Sequence, residues 1–408
     1  MARVLVIGAG VVGLCCAYNL LLDGHEVTVL DREPGGDNVS TGNAGGIGVT
    51  EIVPASMPGL IRQVPGWLAD PLGPLSLRLA HLPRLLPWLW CFLRSGTLAE
   101  MERIATALAS LTTPVYDDLV PLLDTLEMGD DLHRVGALWV YETRAAFERD
   151  AGERALRERH GIVCEEIGGA AARELEPALG DNVACAMLTP QWSHLSDPRR
   201  LVDRLSAYLA RRGVSIMSGE AVGIDRDRVH RRSGDPISFD ALVIAAGAWS
   251  GRLAKLVGDR ALIESERGYN TTLPNPGVEL GREIIFAEHK FVATPMDMGL
   301  RIGGAAEFAG LDAAPNFARS RALTTLAKRY LPGLDTRCGT VWMGQRPTTA
   351  DSLPVIGPSR RQPNVFYAFG HSHTGLTLGP TTGRLVADLV AGRVPPVDLS
   401  PFTIARFG

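Results

Sequence analysis

Three glycines near the start of the chain, Gly8, Gly10 and Gly13, have the spacing that brings a phosphate group against the start of a helix. Gly8 permits a tight turn, and Gly10 leaves room for a pyrophosphate beside free backbone N–H groups. Gly13 lets the helix pack closely on the preceding strand. Asp31 follows where a carboxylate can accept both ribose hydroxyls of an adenosine. These residue types predict a bound adenine dinucleotide.

The elements around these residues are the ones that such a site requires. Residues 3–7 form a short β-branched run that predicts a strand, and residues 11–22 have a helix-like composition. Residues 26–30 predict a second strand that ends at Asp31. The alternative is a glycine-rich turn that binds nothing. It is disfavoured because the strand, the helix and the terminal acid are all in place.

A second glycine-rich loop lies far along the chain. Residues 365–369 predict a strand, residues 370–379 predict a loop, and Pro380 is placed near the first turn of a helix that ends at Gly392. One dinucleotide needs only one such cradle for its pyrophosphate. A longer cofactor with a second polar end, such as a flavin ring, can use two.

Composition excludes several classes of protein. A chain of 408 residues predicts two domains, and a net charge of −4 argues against a nucleic-acid partner. The six cysteines contain no C-x-x-C pair, and His371 and His373 have no third ligand at metal-binding spacing, so no metal site is predicted. The predicted first strand begins almost at Met1, which leads us to expect a cytoplasmic protein without a signal peptide.

Residues 59–94 are unusual because they carry Trp67, Trp88, Trp90 and Phe92 among leucines, prolines and arginines. One interpretation is an amphipathic patch that rests on a membrane surface. The other is that these aromatic residues form the core of a second domain. We favour the core interpretation, since aromatic stripes are more often buried than exposed. No apolar run is long enough to span a bilayer.

Further elements fill the middle of the chain. Residues 99–126 and 145–159 predict helices, and residues 137–141 predict a strand. Asp197 and Pro198 predict the start of a helix over 199–212. Residues 239–250 predict a buried strand that runs into a turn of small residues. Residues 261–342 predict an antiparallel sheet with one helix over 317–330.

Taken in order, these motifs resemble the D-amino acid oxidase superfamily of glutathione-reductase-type flavoproteins. Within it the chain is most similar to bacterial D-amino acid dehydrogenases and their D-hydroxyproline-oxidising relatives. The resemblance runs from end to end and rests on the following motifs: residues 6–13, 43–45, 197–198, 245–250, 268–269, 344–347, 351–357, 370–371 and 375–377.

The resemblance implies FAD. Gly375, Leu376 and Thr377 would present backbone N–H groups to the flavin ring, where negative charge develops on reduction. Cys338 lies a few residues ahead of the position of the tethering cysteine in covalent relatives, so we expect a non-covalent flavin. The expected cofactor-binding residues are Gly8, Gly10, Val11, Val12, Gly13, Asp31, Arg32, Ser40, Thr41, Asn43, Ala44, Gly45, Val222, Ala246, Gly247, Trp249, Arg346, Gly370, His371, His373, Gly375, Leu376 and Thr377.

The expected fold is α/β, with a Rossmann-like FAD-binding domain and an α+β substrate domain that has a mainly antiparallel sheet. We expect the FAD-binding domain to comprise residues 1–58, 196–260 and 341–408. The substrate domain would comprise residues 59–195 and 261–340.

The expected chemistry is hydride transfer from the Cα of an amino acid to the flavin, which requires orientation more than acid–base catalysis. Arg346, in the G-x-R-P position of the family, is expected to hold the substrate carboxylate. Its alternative is a structural salt bridge. Tyr269 would donate to the same carboxylate, or is a tyrosine at the core edge. His373 and His194 would polarise the site or accept a proton, or are ordinary hydrogen-bonding residues.

The expected substrate is a D-amino acid or a cyclic secondary amino acid such as D-hydroxyproline, with electrons passing to a quinone or a carrier. The alternatives are a glycine- or sarcosine-type oxidase that uses O2, an NAD-dependent dehydrogenase, and a flavin-binding subunit of a larger complex. The second glycine loop disfavours the NAD enzyme. Side-chain preference, stereochemistry and oligomeric state do not follow from the sequence.

Overall fold

The computed structural model describes all residues, Met1–Gly408, and contains two large sheets flanked by helices. The strands are β1 Arg3–Ile7, β2 Glu26–Asp31, β3 Gly46–Ile47, β4 Leu75–Leu77, β5 Leu132–His133, β6 Ala137–Tyr141, β7 Glu165–Gly168, β8 Cys185–Thr189, β9 Ser193–Leu195, β10 Ser215–Ser218, β11 Ala221–Ile224, β12 Arg228–Arg231, β13 Ile237–Ser238, β14 Ala241–Ile244, β15 Ile263–Leu273, β16 Glu283–Phe286, β17 Phe291–Met296, β18 Gly299–Phe308, β19 Thr340–Thr349, β20 Val355–Pro358 and β21 Val365–Phe369.

The helices surround these sheets and connect their strands. They are α1 Val11–Leu22, α2 Val64–Ala69, α3 Leu82–Arg94, α4 Leu98–Thr112, α5 Val115–Thr125, α6 Arg144–Arg149, α7 Ala151–Arg159, α8 Gly169–Leu175, α9 Pro198–Arg211, α10 Ser250–Val257, α11 Ala318–Tyr330 and α12 Gly375–Val390.

The first sheet has the strand order β10-β2-β1-β14-β21-β20. Its first five strands are parallel, and β20 runs antiparallel at the edge. The strands β14 and β21 are buried along their whole length, as expected when both faces of a parallel sheet are covered. The carboxyl ends of β1, β14 and β21 therefore meet at one edge, where the glycine turns follow them.

The second sheet has the order β19-β15-β18-β17-β16-β6-β8-β7, with β4 paired to β18. Only the pairings of β6 with β16 and of β4 with β18 are parallel. The mainly antiparallel sheet predicted for the second domain is thus confirmed. Helix α11 packs on it through Leu323, Leu326 and Tyr330, which are buried in the core of this sheet.

Several element boundaries differ from the sequence predictions. The helix predicted over residues 99–126 breaks at Pro114, and the one over 145–159 breaks at Asp150. The placement of Pro380 in the first turn is wrong. Helix α12 begins at Gly375, so Pro380 lies inside it and residues 375–379 are helical. Pro380 is the sixth residue of this helix, so it removes the one hydrogen bond that an amide at this position would donate to the carbonyl oxygen of Leu376.

The two sheets do not divide the chain at the expected positions. Helices α4 and α5, which lie in residues 59–195, share one hydrophobic core with α1, α9 and α12 of the first sheet. Strand β19 carries residues 341–349 into the second sheet, where Arg346 pairs in register with Glu266. Residue 346 is therefore part of the second sheet.

The aromatic residues of 59–94 divide between core and surface. Trp88 is buried, and Trp67 and Phe92 are partly buried, as the core interpretation predicts. Trp90 contradicts that interpretation, since 67% of it is exposed. None of the helices combines the length and the apolar character that crossing a bilayer requires.

Candidate active site at the junction of the two sheets

A cavity of about 620 Å³ lies at the carboxyl edge of the first sheet. Gly8 and Gly10 line it, and Gly13 stands behind them. A Cβ on Gly8 would lie 2.3 Å from the carbonyl oxygen of Ala245, and one on Gly13 would lie 2.0 Å from the carbonyl oxygen of Gly8. Only glycine fits at these two positions, where neighbouring backbones meet. The tight turn and close packing that the sequence predicts are therefore present.

The start of helix α12 contributes a second set of donors. The amides of Gly375, Leu376 and Thr377 donate to no acceptor within the protein, whereas the amide of Leu378 donates to Thr374. The side-chain hydroxyl of Thr377 accepts a hydrogen bond from the amide of Gly48 at 3.0 Å. Free amides and the positive end of the helix dipole make this a site for an electron-rich ring edge.

The far end of the cavity has the features of an adenosine site. Asp31 accepts from the amide of Ala9 at 2.7 Å and from the amide of Glu33 at 2.8 Å. A carboxylate has about four lone-pair positions, so it can still accept ribose hydroxyls. The guanidinium of Arg32 lies 3.9 Å from the ring centroid of Trp249, and both residues line the cavity.

Most of the expected cofactor-binding residues line this cavity or the adjoining one. Val222 does not: it lies on β11 and is 41% exposed, and the preceding residues Gly219, Glu220 and Ala221 line the cavity instead. Four others shape the surrounding backbone without reaching the cavity: Gly13, Thr41, Gly45 and Gly370. Those that line one or both cavities are Gly8, Gly10, Val11, Val12, Asp31, Arg32, Ser40, Asn43, Ala44, Ala246, Gly247, Trp249, Arg346, His371, His373, Gly375, Leu376 and Thr377.

A second cavity, of about 380 Å³, lies on the face of the second sheet. It shares Val39, Asn43, Trp342, Gly344 and Ser372 with the first cavity, so the two adjoin. Gly268, Gly303, Gly304 and Gly344 form part of its lining and leave the sheet surface open there. The arrangement places a small-molecule chamber directly beside the dinucleotide cavity.

Arg346 lines this second cavity, with its guanidinium lying over Gly268. Its Nη1 donates to Glu266 Oε1 at 2.8 Å and to the carbonyl oxygen of Ala305 at 2.9 Å, and its Nη2 donates to the carbonyl oxygen of Gly304 at 3.3 Å. The Nε–H makes no hydrogen bond within the protein. The fixed guanidinium therefore keeps a donor for an incoming carboxylate.

Tyr269 lines the second cavity, but the contacts of its hydroxyl do not support the expected role. Its hydroxyl donates to Glu307 and accepts from the amide of Asn316 at 2.9 Å. Burial raises the pKa of Tyr269 to about 12. Since both hydrogen-bonding functions of the hydroxyl are occupied in the core, this group is not free to hold a substrate carboxylate. The neighbouring Arg267 is fully buried and donates to the carbonyl oxygens of Gly310, Ala313 and Ala314.

The three histidines have different positions. His373 lines the second cavity, and its Nε2 lies 3.4 Å from Glu51 Oε2. His371 lines the first cavity and bonds to Thr382 at 2.9 Å, and burial lowers its pKa to about 3. His194 lines neither cavity. It is buried against His133, with ring centroids 4.8 Å apart, and burial lowers its pKa to about 4. The position of His194, away from both cavities, therefore contradicts its expected role in the site.

Sequence reasoning missed several residues of the second cavity, notably Glu51, Glu283 and Trp192. Trp192 Nε1 donates to Glu283 Oε2 at 2.8 Å, and burial raises the pKa of Glu283 to about 8. Burial would also raise the pKa of Glu51, but a hydrogen bond with His373 and the charge of Arg157 outweigh it and lower that pKa. These residues come from distant segments, and no local pattern marks them.

A fold with a glycine-lined dinucleotide cavity, a second helix N-terminus with free amides and an adjoining chamber defines a flavin-dependent oxidoreductase. The residues present fit FAD, since Gly8 and Gly10 line the cavity without side chains and three amides of α12 have no acceptor within the protein. The chain belongs to the FAD dependent oxidoreductase (DAO) family, whose model matches residues 3–389. It is an FAD-dependent amino acid oxidoreductase.

Known relatives agree with this assignment. The chain is 36% identical over 418 residues to a D-amino-acid oxidase of Bradyrhizobium diazoefficiens, covering 99% of both chains. It is 30% identical over 417 residues to a D-amino acid dehydrogenase of Sinorhizobium medicae, covering 100% of both. Among solved structures, glycine oxidase from Geobacillus kaustophilus has the same fold, with a TM-score of 0.79 at 22% identity over 100% of this chain and 99% of that one.

Proposed function

We propose that this protein oxidises a D-amino acid, or a cyclic secondary amino acid such as D-hydroxyproline, at Cα, and that Arg346 holds the substrate carboxylate. The observation that carries the proposal is the position of Arg346. Its guanidinium is fixed by Glu266 and two backbone carbonyls at the wall of a chamber that adjoins the cofactor cavity. Substrates named for both relatives are D-amino acids, which supports the same class here.

Bound FAD supplies a two-electron acceptor for the hydrogen at Cα. The chain contributes position and charge around it. The free amides at the start of α12 would favour negative charge on a ring edge placed against them. Arg346 fixes the carboxylate, so that the Cα–H direction is set by the protein. His373, which Glu51 contacts at the chamber wall, is the group placed to accept a proton from an incoming ammonium.

The flavin is proposed to be non-covalent. Cys338 is exposed and lines neither cavity, so its thiol is not placed to form a bond to the ring. Acid precipitation should leave a colourless pellet and a yellow supernatant. A yellow pellet would contradict the proposal.

The electron acceptor is proposed to be a quinone or a carrier. A second candidate is O2, because the relative of 36% identity is named an oxidase. The two are separated by turnover in air without added acceptor. Stoichiometric hydrogen peroxide would establish the oxidase, whereas turnover that requires an added quinone would establish the dehydrogenase.

Anaerobic mixing with a panel of D-, L- and N-substituted amino acids tests the substrate class. The visible flavin band should bleach with D-amino acids or cyclic secondary amino acids and persist with the L-enantiomers of the same side chains. Bleaching by L-amino acids alone would overturn the stereochemical proposal. Absence of bleaching with every member would favour the flavin-binding subunit of a larger complex.

A further inference from the structure

Helix α3 is anchored to the second sheet through one face only. Leu85 and Trp88 are buried, and Trp88 Nε1 donates to the carbonyl oxygen of Thr348 at 3.0 Å. The Trp88 ring also lies 5.2 Å from the ring of Phe308 on β18. These contacts fix the helix, including its outer face, relative to the rest of the protein.

The outer face of α3 is apolar. Leu86, Trp90 and Leu93 are 54%, 67% and 39% exposed, and their spacing of four and three residues places them in one stripe. Leu79, in the turn before the helix, is exposed as well. Single exposed apolar residues are common, but a surface helix usually turns its polar face to water. A stripe of leucine and tryptophan on the solvent side therefore needs an explanation.

The segment that carries this stripe is basic, and no acid lies near it in sequence. Residues 71–99 contain neither aspartate nor glutamate, although the whole chain has a net charge of −4. Arg78, Arg84 and Arg94 are exposed and form no salt bridge, whereas many other arginines of the chain pair with a carboxylate. Exposed apolar residues and unpaired cations on one short segment fit a surface that is apolar inside and anionic outside.

We propose that the outer face of α3 docks this protein on an anionic lipid bilayer. Leu86, Trp90 and Leu93 enter the boundary between headgroups and acyl chains, and Arg84 and Arg94 contact lipid phosphates. The attachment is peripheral, since no helix of the structure has the character of a membrane span. The proposal concerns binding alone, so it stands or falls independently of the amino acid that is oxidised.

The dimensions of the stripe favour a bilayer over a protein partner. A helix of 13 residues is about 20 Å long, and one face of it presents on the order of 200 Å². Stable protein interfaces bury about 800 Å² on each partner. A bilayer requires no matching surface, so a narrow stripe suffices for shallow insertion.

Co-sedimentation of the FAD-loaded protein with vesicles tests the proposal. Vesicles of phosphatidylcholine and phosphatidylglycerol in equal parts should pellet the protein at low salt, and pure phosphatidylcholine should pellet much less. The double variant Leu86→Ser/Trp90→Ser should lower partitioning at least about tenfold. The control Leu22→Ser/Val394→Ser removes two exposed apolar residues elsewhere and should partition as the wild type does.

Further measurements separate lipid contact from other causes. Brominated lipids should quench tryptophan fluorescence of the wild type more than that of Trp90→Phe. Arg84→Gln/Arg94→Gln should reduce binding to anionic vesicles only, while Arg232→Gln should not. The proposal is overturned if the wild type does not pellet with anionic vesicles at low salt, or if the α3 variants pellet equally well. A concentration-dependent dimer in light scattering that Trp90→Ser abolishes would instead assign the face to a second copy.

Discussion

Replacement of Arg346 by leucine is the sharpest test of the proposed substrate site. The guanidinium has its Nε–H free, beside the Nη groups that Glu266 and the carbonyls of Gly304 and Ala305 hold in place. A charge-assisted contact to a carboxylate from so fixed a group contributes about 3 kcal/mol. Its loss should reduce kcat/KM for an amino acid by about two powers of ten, mainly through KM.

The single variant also leaves Glu266 without its ion-pair partner at the chamber wall, although Thr348 still donates to that carboxylate at 2.9 Å. Its charge would then repel the substrate carboxylate and add to the loss. The double variant Arg346→Leu/Glu266→Gln removes this repulsion. It should recover part of the affinity while remaining well below the wild type, and the difference measures the repulsive part.

Anaerobic flavin reduction, followed by absorbance across a range of substrate concentrations, gives the apparent affinity directly. The corresponding amine without a carboxylate is the matched control, since its reaction should be nearly equal in wild type and variant. Flavin content and melting temperature establish that the variant is folded. An unchanged KM for the amino acid, with folding intact, would remove Arg346 from the site and refute the reasoning.

Three other changes probe the cradle, the chamber and the core. Gly13→Ala should give colourless protein, because the new Cβ would lie 2.0 Å from the carbonyl oxygen of Gly8. The control Gly152→Ala should keep the flavin, since Gly152 has open space around it. Equal flavin content in the two variants would contradict the packing argument. Burial raises the pKa of Glu283 to about 8. Between about pH 4.5 and 8 this carboxyl is therefore protonated in the folded protein but ionised in the unfolded chain, so the stability of the wild type falls as the pH rises through this window. Glu283→Gln should therefore gain melting temperature relative to the wild type as pH rises from 5 to 8; a pH-independent difference would be evidence against it. Arg267→Met removes a fully buried guanidinium and should lower the free energy of unfolding, measured in urea, by about 3 to 5 kcal/mol. A loss below about 1 kcal/mol would show that the hydrogen bonds of the Arg267 guanidinium contribute little to stability.

Local pattern was sufficient where the chemistry lies within one stretch of chain. The glycines at 8, 10 and 13, the strand before them and Asp31 at the end of β2 all belong to one βαβ unit, and the structure contains that unit as predicted. The cap of α9 at Asp197 is likewise local: its side chain accepts from the amide of Arg199 at 2.9 Å. Such features depend on neighbours a few residues away, which sequence displays directly.

Single side chains in the substrate chamber were predicted less well. Arg346 and His373 line the chamber, but the Tyr269 hydroxyl is engaged by Glu307 and His194 is buried against His133. A strand places successive side chains on opposite faces. Glu266 meets Arg346 at the chamber, whereas Arg267 and Tyr269 both reach Glu307 in the core. Residue type alone does not mark which of the two faces meets the chamber.

The sequence by itself determined the dinucleotide cradle and indicated the family, because both rest on residue types at fixed short spacing. It placed the start of the second helix near Pro380, whereas the structure begins that helix at Gly375. Tertiary structure alone decided that Glu51, Glu283 and Trp192 meet in one chamber, since they lie on segments far apart in the chain. It also decided that α3 buries Trp88 and exposes Trp90. Both residues suit a core, and only the packing of one helix face against β18 and β19 separates them.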